Sequence, residues 1–400
     1  MREIQDLRIH GYRQLALGMI ALFIVIALGR FAYTPILPFM QLDTGLDNKS
    51  VGLLATFNYL GYLIGAMLPI FYIMKNKVFD LKCYLLLNVA TMLLFGVTDH
   101  FVIWSLLRLL NGISSGAVFV LASNIVLEAL HLARREGIAG LLYSAVGLGL
   151  FSSSLFIFLY TDVTHWRETW IWLGSAAFIL TLIIIVCLRE NPTLPEPASH
   201  KAHGPEKVIR YSKKFYIPFA IAYFCEGAGY IITGTFLVAI VKTMPTLSEY
   251  AALSWMFVGL GAIPATVLWS MIGQRIGICL SVILAFLLQI VAVLMPIFTV
   301  NAFAIALSSM IFGATFLGLT TLFMSKSHQI TFETKGNNLV AVMTLIYSVG
   351  QMIAPYISGI LIERTHNYND ALIFAAAILV VGILSSLYSK RYAHPMYNVH

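Results

Sequence analysis

Apolar runs of roughly 18–25 residues alternate with short polar connections along almost the whole chain, the length a helix needs to cross a hydrocarbon core about 30 Å thick. Twelve spans are expected, at 14–40, 50–73, 82–98, 101–127, 137–160, 167–188, 214–241, 250–272, 278–297, 302–325, 338–362 and 370–389. Two divisions rest on thin polar breaks, Asp99–His100 between the third and fourth spans and Pro296–Asn301 between the ninth and tenth.

Composition excludes a soluble reading. Of 400 residues, 59% are hydrophobic and 11% charged, against about 25% charged in soluble domains. A mean hydropathy of +0.85 leaves too little polar surface to face water. The net charge of +7 does not point to nucleic acid, because the cations sit in short loops and no basic tract occurs. Cys83, Cys187, Cys225 and Cys279 lie in or beside apolar runs without metal-type spacing and read as packing residues. Neither a metal nor a cofactor is expected. The basic opening segment, 1–13, precedes an apolar run with no small-residue cleavage pattern, so that run reads as a retained first helix.

Loop charges orient the chain. With a cytoplasmic N-terminus, 19 of the 25 Lys and Arg fall on the cytoplasmic side, four outside (Lys49, Arg167, Lys242, Arg364), and Arg30 and Arg108 within the membrane. Both termini are then cytoplasmic. The longest polar stretch, 189–213, carries Pro192, Pro195, Pro197 and Pro205 and reads as a flexible cytoplasmic linker. It separates a six-helix bundle, 1–188, from a second, 214–400, which ends in a short tail. The halves echo each other: Tyr143–Gly147 (YSAVG) resembles Tyr347–Gly350 (YSVG), and Gly112 and Gly313 stand at nearly the same offset, as a parallel repeat requires.

Several motifs resemble those of the major facilitator superfamily. Arg108–Gly116 (RLLNGISSG) resembles its R-x-x-x-G-x-x-x-G signature in helix 4, and Tyr143–Gly149 loosely resembles its glycine-rich helix 5 motif. The G-x-x-x-D-R-x-G-R signature between helices 2 and 3 is reduced to Lys75–Asp80 (KNKVFD), with a remnant at Gly273–Gly277 (GQRIG). Leu28–Pro38 (LGRFAYTPILP), Glu226–Phe236 (EGAGYIITGTF) and Gly350–Pro355 (GQMIAP) are similar to the YbfB/YjiJ-type branch of bacterial carriers. The resemblance implies an all-α membrane protein of twelve transmembrane helices in two pseudo-symmetric six-helix bundles, acting by alternating access in the inner membrane. It also places helices 1, 4, 7 and 10 around the central pathway, and ties the arginine at position 108 to proton coupling.

An ionisable residue at the centre of a span costs roughly 2.5–3.5 kcal/mol on insertion scales, so function is its default explanation. Arg30, Arg108 and Glu226 are the three clear cases. Residue counting puts Arg30 and Glu226 near the middle of the bilayer and within one to two turns of each other in depth, where opposite charges could pair across the bundle interface. Glu226 is then the proton acceptor, with Arg108 as a second coupling candidate, and Arg30 holds an anionic group of the substrate. A fixed Arg30–Glu226 pair that merely orients the halves is the competing reading. Arg108 could equally serve packing or gating. Tyr33, Asn58, Tyr59, Tyr143, Tyr230 and Gln351 are expected to line the substrate site, with Tyr62, Asn124 and Trp255 at similar depth, although each could instead join helices. Gly61/Gly65 and Gly112/Gly116 read as close-packing surfaces.

An enzyme is disfavoured: all ten histidines lie in loops, helix ends or termini, and no H-E-x-x-H or Walker-type sequence occurs. A receptor or scaffold lacks a substantial extramembrane surface. The expected partners are a small-molecule solute, protons and the lipid bilayer, in a monomer that uses no nucleic acid. Proton-driven export of a drug or metabolite is the alternative to movement of an anionic or zwitterionic metabolite.

Overall fold

A computed structural model describes residues 2–135, 138–162, 164–192, 209–334, 339–393 and 396–397. Helix α1 spans Gln5–Thr44, α2 Asn48–Phe71 and α3 Lys77–Val97. Next come α4 Phe101–Leu132, α5 Leu141–Tyr160, α6 Trp166–Cys187 and α7 Lys213–Lys242. The bent helix α8 comprises Ser248–Ala262 and Ala265–Ile276, and is followed by α9 Ile278–Phe298. Helices α10 Ala302–Thr334, α11 Leu339–Thr365 and α12 Tyr368–Arg391 complete the set. Local chemistry marks the boundaries. The Asp47 side chain caps α2 by accepting from Ser50 N at 2.7 Å, and Asn76 caps α3 by accepting from Phe79 N at 2.7 Å. Gly45 ends α1 in the left-handed region, at φ 71°.

Among the described residues, eleven helices are long and apolar enough to cross a membrane, and the two arms of α8, meeting at 45°, make a twelfth when taken as one span. The expected eighth span is therefore one crossing made of two helices. Pro264 follows Ile263 at the break, where its missing N–H ends the first arm's hydrogen-bond ladder. The breaks before α4 and α10 fall where the thin polar signals stand. Most of the expected linker, 193–208, lies outside the described residues. Its last part forms β1, Ile209–Arg210, antiparallel to β2, Met396–Tyr397, from the tail.

The protein is all-α, with twelve spans in two pseudo-symmetric bundles of six, and the repeat is visible in the way helices touch. A Cβ on Gly61 would overlap Leu109 O, and one on Gly112 would overlap Asn58 O, so α2 and α4 meet backbone to backbone. The second bundle repeats this 200–201 residues on, where Gly261 lies against Met310 O and Gly313 against Val258 O. Glycines also bring the bundles together. Gly147 of α5 and Gly259 of α8 lie against Ile263 and Phe151, while Gly52 of α2 and Gly359 of α11 lie against Pro355 and Asn48.

Polar contacts then close one end, the one away from both termini. Asn48 N donates to Glu363 Oε2 at 3.1 Å, and Tyr368 Oη donates to Asn48 Oδ1 at 2.9 Å. Deeper, Thr56 Oγ1 donates to Met352 O at 2.8 Å and Thr34 Oγ1 to Gly234 O at 2.7 Å. At the opposite end, Gln14 Nε2 reaches Arg189 O at 2.5 Å and Ser389 Oγ reaches Phe215 O at 3.2 Å. The start and finish of each bundle are thereby joined.

Because α2 and α4 approach to backbone contact, Gly112→Leu is expected to cost about 1–3 kcal/mol or more by overpacking. Gly140→Ala, at a position with nothing within 4 Å, should be neutral. Thermal unfolding in detergent checks both, and a Gly112→Leu protein as stable as wild type would show that this crossing tolerates separation.

Candidate functional site

Helix α1 changes character as it nears the centre. Phe23–Phe31 is a π-helix of nine residues, a form usually limited to single turns and frequent at functional sites. Widening the helix leaves carbonyls poorly matched to its own N–H groups, and α4 supplies donors instead. Ser115 Oγ donates to Val25 O at 3.0 Å, and Arg108 Nη1 reaches Gly29 O at 3.4 Å, the long limit of a hydrogen bond. Gly29 itself is pressed against Asn88 and Asn111.

Arg30 is the last residue but one of the π segment and is 5% exposed. Its guanidinium carbon lies 4.2 Å from the Tyr62 ring centroid, 4.5 Å from Tyr59 and 5.2 Å from Phe31. Tyr230 of α7 and Tyr347 of α11 are close enough to feel its charge, so both bundles contribute to its surroundings. Its Nε and Nη2 are buried with no hydrogen-bond partner among the described residues. Arg108 is 2% exposed and stands 4.4 Å from the Tyr33 ring centroid; its Nε likewise has no partner there. Tyr59 neighbours both guanidiniums. Among the described residues neither arginine forms an ion pair.

Glu226 is fully buried on α7 but is not paired with Arg30, contrary to the expectation from depth. Gln289 of α9 donates to its Oε1 at 3.2 Å, and Oε2 has no partner among the described residues. Counting residues along two helices fixes depth and leaves azimuth free. Gly227 lies against Tyr347 of α11 and Gly229 against Leu379 of α12, a rotation of α7 that brings Glu226 to the Gln289 amide. The carboxyl remains near Tyr223 and Tyr347. A charge on it would be uncompensated where charge is costly.

The other expected site residues divide into two groups. Tyr59, Tyr62 and Tyr230 surround Arg30, and Gln351 Nε2 donates to Tyr230 Oη, leaving Gln351 Oε1 without a partner among the described residues. Tyr230 stacks on Phe316 at 5.3 Å and on Tyr347 at 5.8 Å. Tyr33 packs on Arg108, and its hydroxyl donates to Val51 O at 3.2 Å. Asn58 braces helices: its amide donates to Arg108 O at 3.0 Å and to Asn111 Oδ1 at 3.2 Å. Tyr143 donates to Ser123 Oγ at 3.3 Å and is tilted against Phe119, which in turn packs on Tyr62 at 6.2 Å. Trp255 packs on Phe31 at 5.9 Å, and Asn124 is exposed. An apolar recess of about 550 Å³ between α1, α5 and α6, lined by Phe23, Phe156 and Trp172, includes none of Arg30, Arg108 and Glu226.

Sequence reasoning passed over Asn88, Asn111, Gln289 and Tyr347. The amides are visible in hindsight as polar groups inside apolar spans, which must find partners in another helix. Asn88 Nδ2 donates to Ser114 Oγ at 2.8 Å and Ser115 Oγ at 3.0 Å, and Asn111 Nδ2 donates to Thr91 Oγ1 at 3.0 Å. These contacts form a polar seam behind Arg108.

Two bundles of six spans, with buried charge on α1, α4 and α7, define a multi-span carrier of the major facilitator fold. The chain belongs to the family described as "Uncharacterised MFS-type transporter YbfB", whose model matches residues 22–387. It is 25% identical over 408 residues to the "Probable sulfoacetate transporter SauU" of Cupriavidus necator (strain H16), covering 94% of this chain and 93% of that protein. Among solved structures, a point mutant of the nucleoside transporter NupG superposes with a TM-score of 0.76 at 13% identity, covering 94% of this chain and 99% of that one. A bacterial homologue of the human lysosomal transporter Spinster, inward-facing and unoccupied, gives 0.73 at 14% identity, covering 96% and 97%. These two likenesses establish the fold. The family and the relative are transporters and not enzymes.

Removing the amide from Glu226 should be costly. Gln289→Leu is expected to destabilise by about 1–3 kcal/mol, the penalty of an unsatisfied buried polar group. Adding Glu226→Leu should recover part of that loss, with a coupling of about 0.5–3 kcal/mol. A double-mutant cycle on unfolding in detergent measures it, and additive effects would mean the contact contributes nothing.

Proposed function

We propose that this chain is a proton-coupled carrier that moves a small organic anion across the bacterial inner membrane by alternating access. The observation that carries this reading is Arg30: a buried guanidinium on the central pathway, with two unpartnered nitrogens and no ion pair among the described residues. Tyrosine hydroxyls of Tyr59 and Tyr62 are its neighbours and, among the described residues, no carboxylate is, so the two donors left over suit a carboxylate or another oxyanion, which a guanidinium binds through parallel hydrogen bonds. The relative from C. necator is named for sulfoacetate, itself an organic anion, which supports the same class.

In this reading Arg30 holds the anion, and Tyr59, Tyr62, Tyr230 and Oε1 of Gln351 shape the site around it. Tyr33 and Asn58 hold Arg108 and α4 in place, and Tyr143 lines the approach. With both termini cytoplasmic, as the loop charges indicate, the end closed by Asn48, Glu363 and Tyr368 is periplasmic and the conformer is sealed on that side. The pathway lies between the chain's own two bundles, so a monomer suffices.

Glu226 is the proton acceptor in this proposal. One amide donor and an oxygen without a partner among the described residues hold its carboxyl where gaining or losing a proton changes the local charge by a full unit. Tyr223 and Tyr347, both near the carboxyl, stack at 4.5 Å, and Tyr347 stacks in turn on Tyr230, which supports a carboxyl acting close to the anion without touching it.

Proteoliposomes loaded with a pH dye and offered organic acids, amino acids and dyes test this reading. In wild type an organic anion should drive proton flux, and Glu226→Gln should abolish that flux while retaining solute exchange. Arg30→Gln should reduce anion binding by about 10–100-fold, the scale of a charge-assisted hydrogen-bonded pair. Unchanged proton flux in Glu226→Gln would make Glu226 structural, and a solute panel without any anion among its substrates would end the anion reading.

A further inference from the structure

We propose that the substrate carries two separate anionic groups, and that Arg108 binds the second. The inference rests on the anion reading above and extends it from a charge sign to a charge number.

Two cations are buried on neighbouring helices, α1 and α4, with Tyr59 beside both. A single intramembrane arginine costs roughly 2.5–3.5 kcal/mol on insertion scales, and a like charge nearby adds repulsion. The surroundings supply aromatic faces and hydroxyls, from Tyr33, Tyr59 and Tyr62, and no carboxylate in ion-pair contact among the described residues. Glu226 is engaged with Gln289 and pairs with neither arginine. A monoanion therefore leaves one positive charge uncompensated, and a dianion compensates both.

The contacts of Arg108 suit a ligand-binding role. Its Nε has no partner among the described residues, and its Nη1 holds Gly29 O only at 3.4 Å, a contact that an anionic oxygen replaces at shorter range. A guanidinium does not give up its proton in proteins, so Arg108 is poorly suited to carrying protons and well suited to a fixed charge. Because its head docks on the carbonyl of residue 29, the neighbour of Arg30, the two binding positions fall around the same stretch of α1. That placement selects a short substrate with an acidic group at each end, such as a dicarboxylate or a carboxylate–sulfonate.

The seam behind α4 keeps this position in place. Asn58 holds the carbonyl of Arg108 itself at 3.0 Å, and Asn111, one turn on, is tied to α2 and α3 by Asn58 and Thr91. Arg108 is thereby held on a rigid wall, whereas Arg30 sits on the π segment.

The test is ligand-induced thermal stabilisation of the purified full chain in detergent. The probes are matched pairs, acetate with malonate and propionate with succinate, together with methanesulfonate, sulfoacetate and inorganic sulfate. Wild type should bind the two-ended dianions about 10–100-fold tighter than the matched monoanions, the value of one further charge-assisted pair. Arg108→Gln should remove that preference, bringing dianions to the monoanion level. Arg108→Lys should retain part of the preference, which guards against a Gln variant that fails to fold. Equal binding of monoanions and dianions by wild type, or an equal loss of both in Arg108→Gln, overturns the proposal. Inorganic sulfate binding as well as the two-ended acids would also overturn it, by showing that both arginines converge on one group. Failure of every anion to bind would instead remove the anion reading on which it rests.

Discussion

Charge in a low-dielectric interior is the constraint on which this structure turns. Water cannot solvate a guanidinium at the centre of a helix bundle, so the protein must surround it with whatever partial charge it can. Around Arg30 and Arg108 it uses aromatic faces, tyrosine hydroxyls and the carbonyl of Gly29. Each substitutes for water incompletely, because a ring face is a weak partner compared with a carboxylate. The incompleteness explains why the nitrogens left over suit a ligand. A fully satisfied pair would make a good strut and a poor binding site.

The scaffold meets the opposite demand, rigid contact without charge. Helices in a membrane gain little from burying apolar surface against one another, so they rely on close approach and interhelical hydrogen bonds. Glycines at the α2–α4 crossing and at the equivalent α8–α10 crossing bring backbones into contact, and the glycines of α5, α8, α2 and α11 do the same between bundles. Packing at this distance is bistable rather than compressible, which suits bundles that rock as rigid bodies about the contacts between them. The polar latch of Asn48, Glu363 and Tyr368 lies at one end of that hinge, where a few hydrogen bonds hold one orientation.

The spans, their number and the repeat were legible in the sequence because each depends on one-dimensional information: hydropathy, loop charge and the spacing of glycines. The central charges were legible too, since a charged residue inside an apolar run stands out. What could not be read was azimuth. Arg30 and Glu226 come within one to two turns of each other in depth by residue count, but the rotation of α7 brings the carboxyl to Gln289. Asn88, Asn111 and Gln289 went unnoticed because a lone amide in a span has a ready explanation as glue, and its partner lies on a helix distant in sequence. The bend in α8 had a visible cause in Pro264, but a proline in a span signals a bend without giving its angle.

The π segment of α1 also bears on how such a carrier can diversify. A π stretch absorbs an extra residue within an otherwise α-helical course, so the helix beyond it keeps its facing when the stretch is lengthened or shortened by one. Arg30 is the last residue but one of this stretch, and the portion of α1 beyond it runs on to Thr44, just short of the latch. A single-codon deletion between Phe23 and Gly29 would therefore change how the residues of the stretch face their neighbours and leave Thr34 in register with Gly234. Insertions and deletions, usually confined to loops, would here be absorbed inside a transmembrane helix.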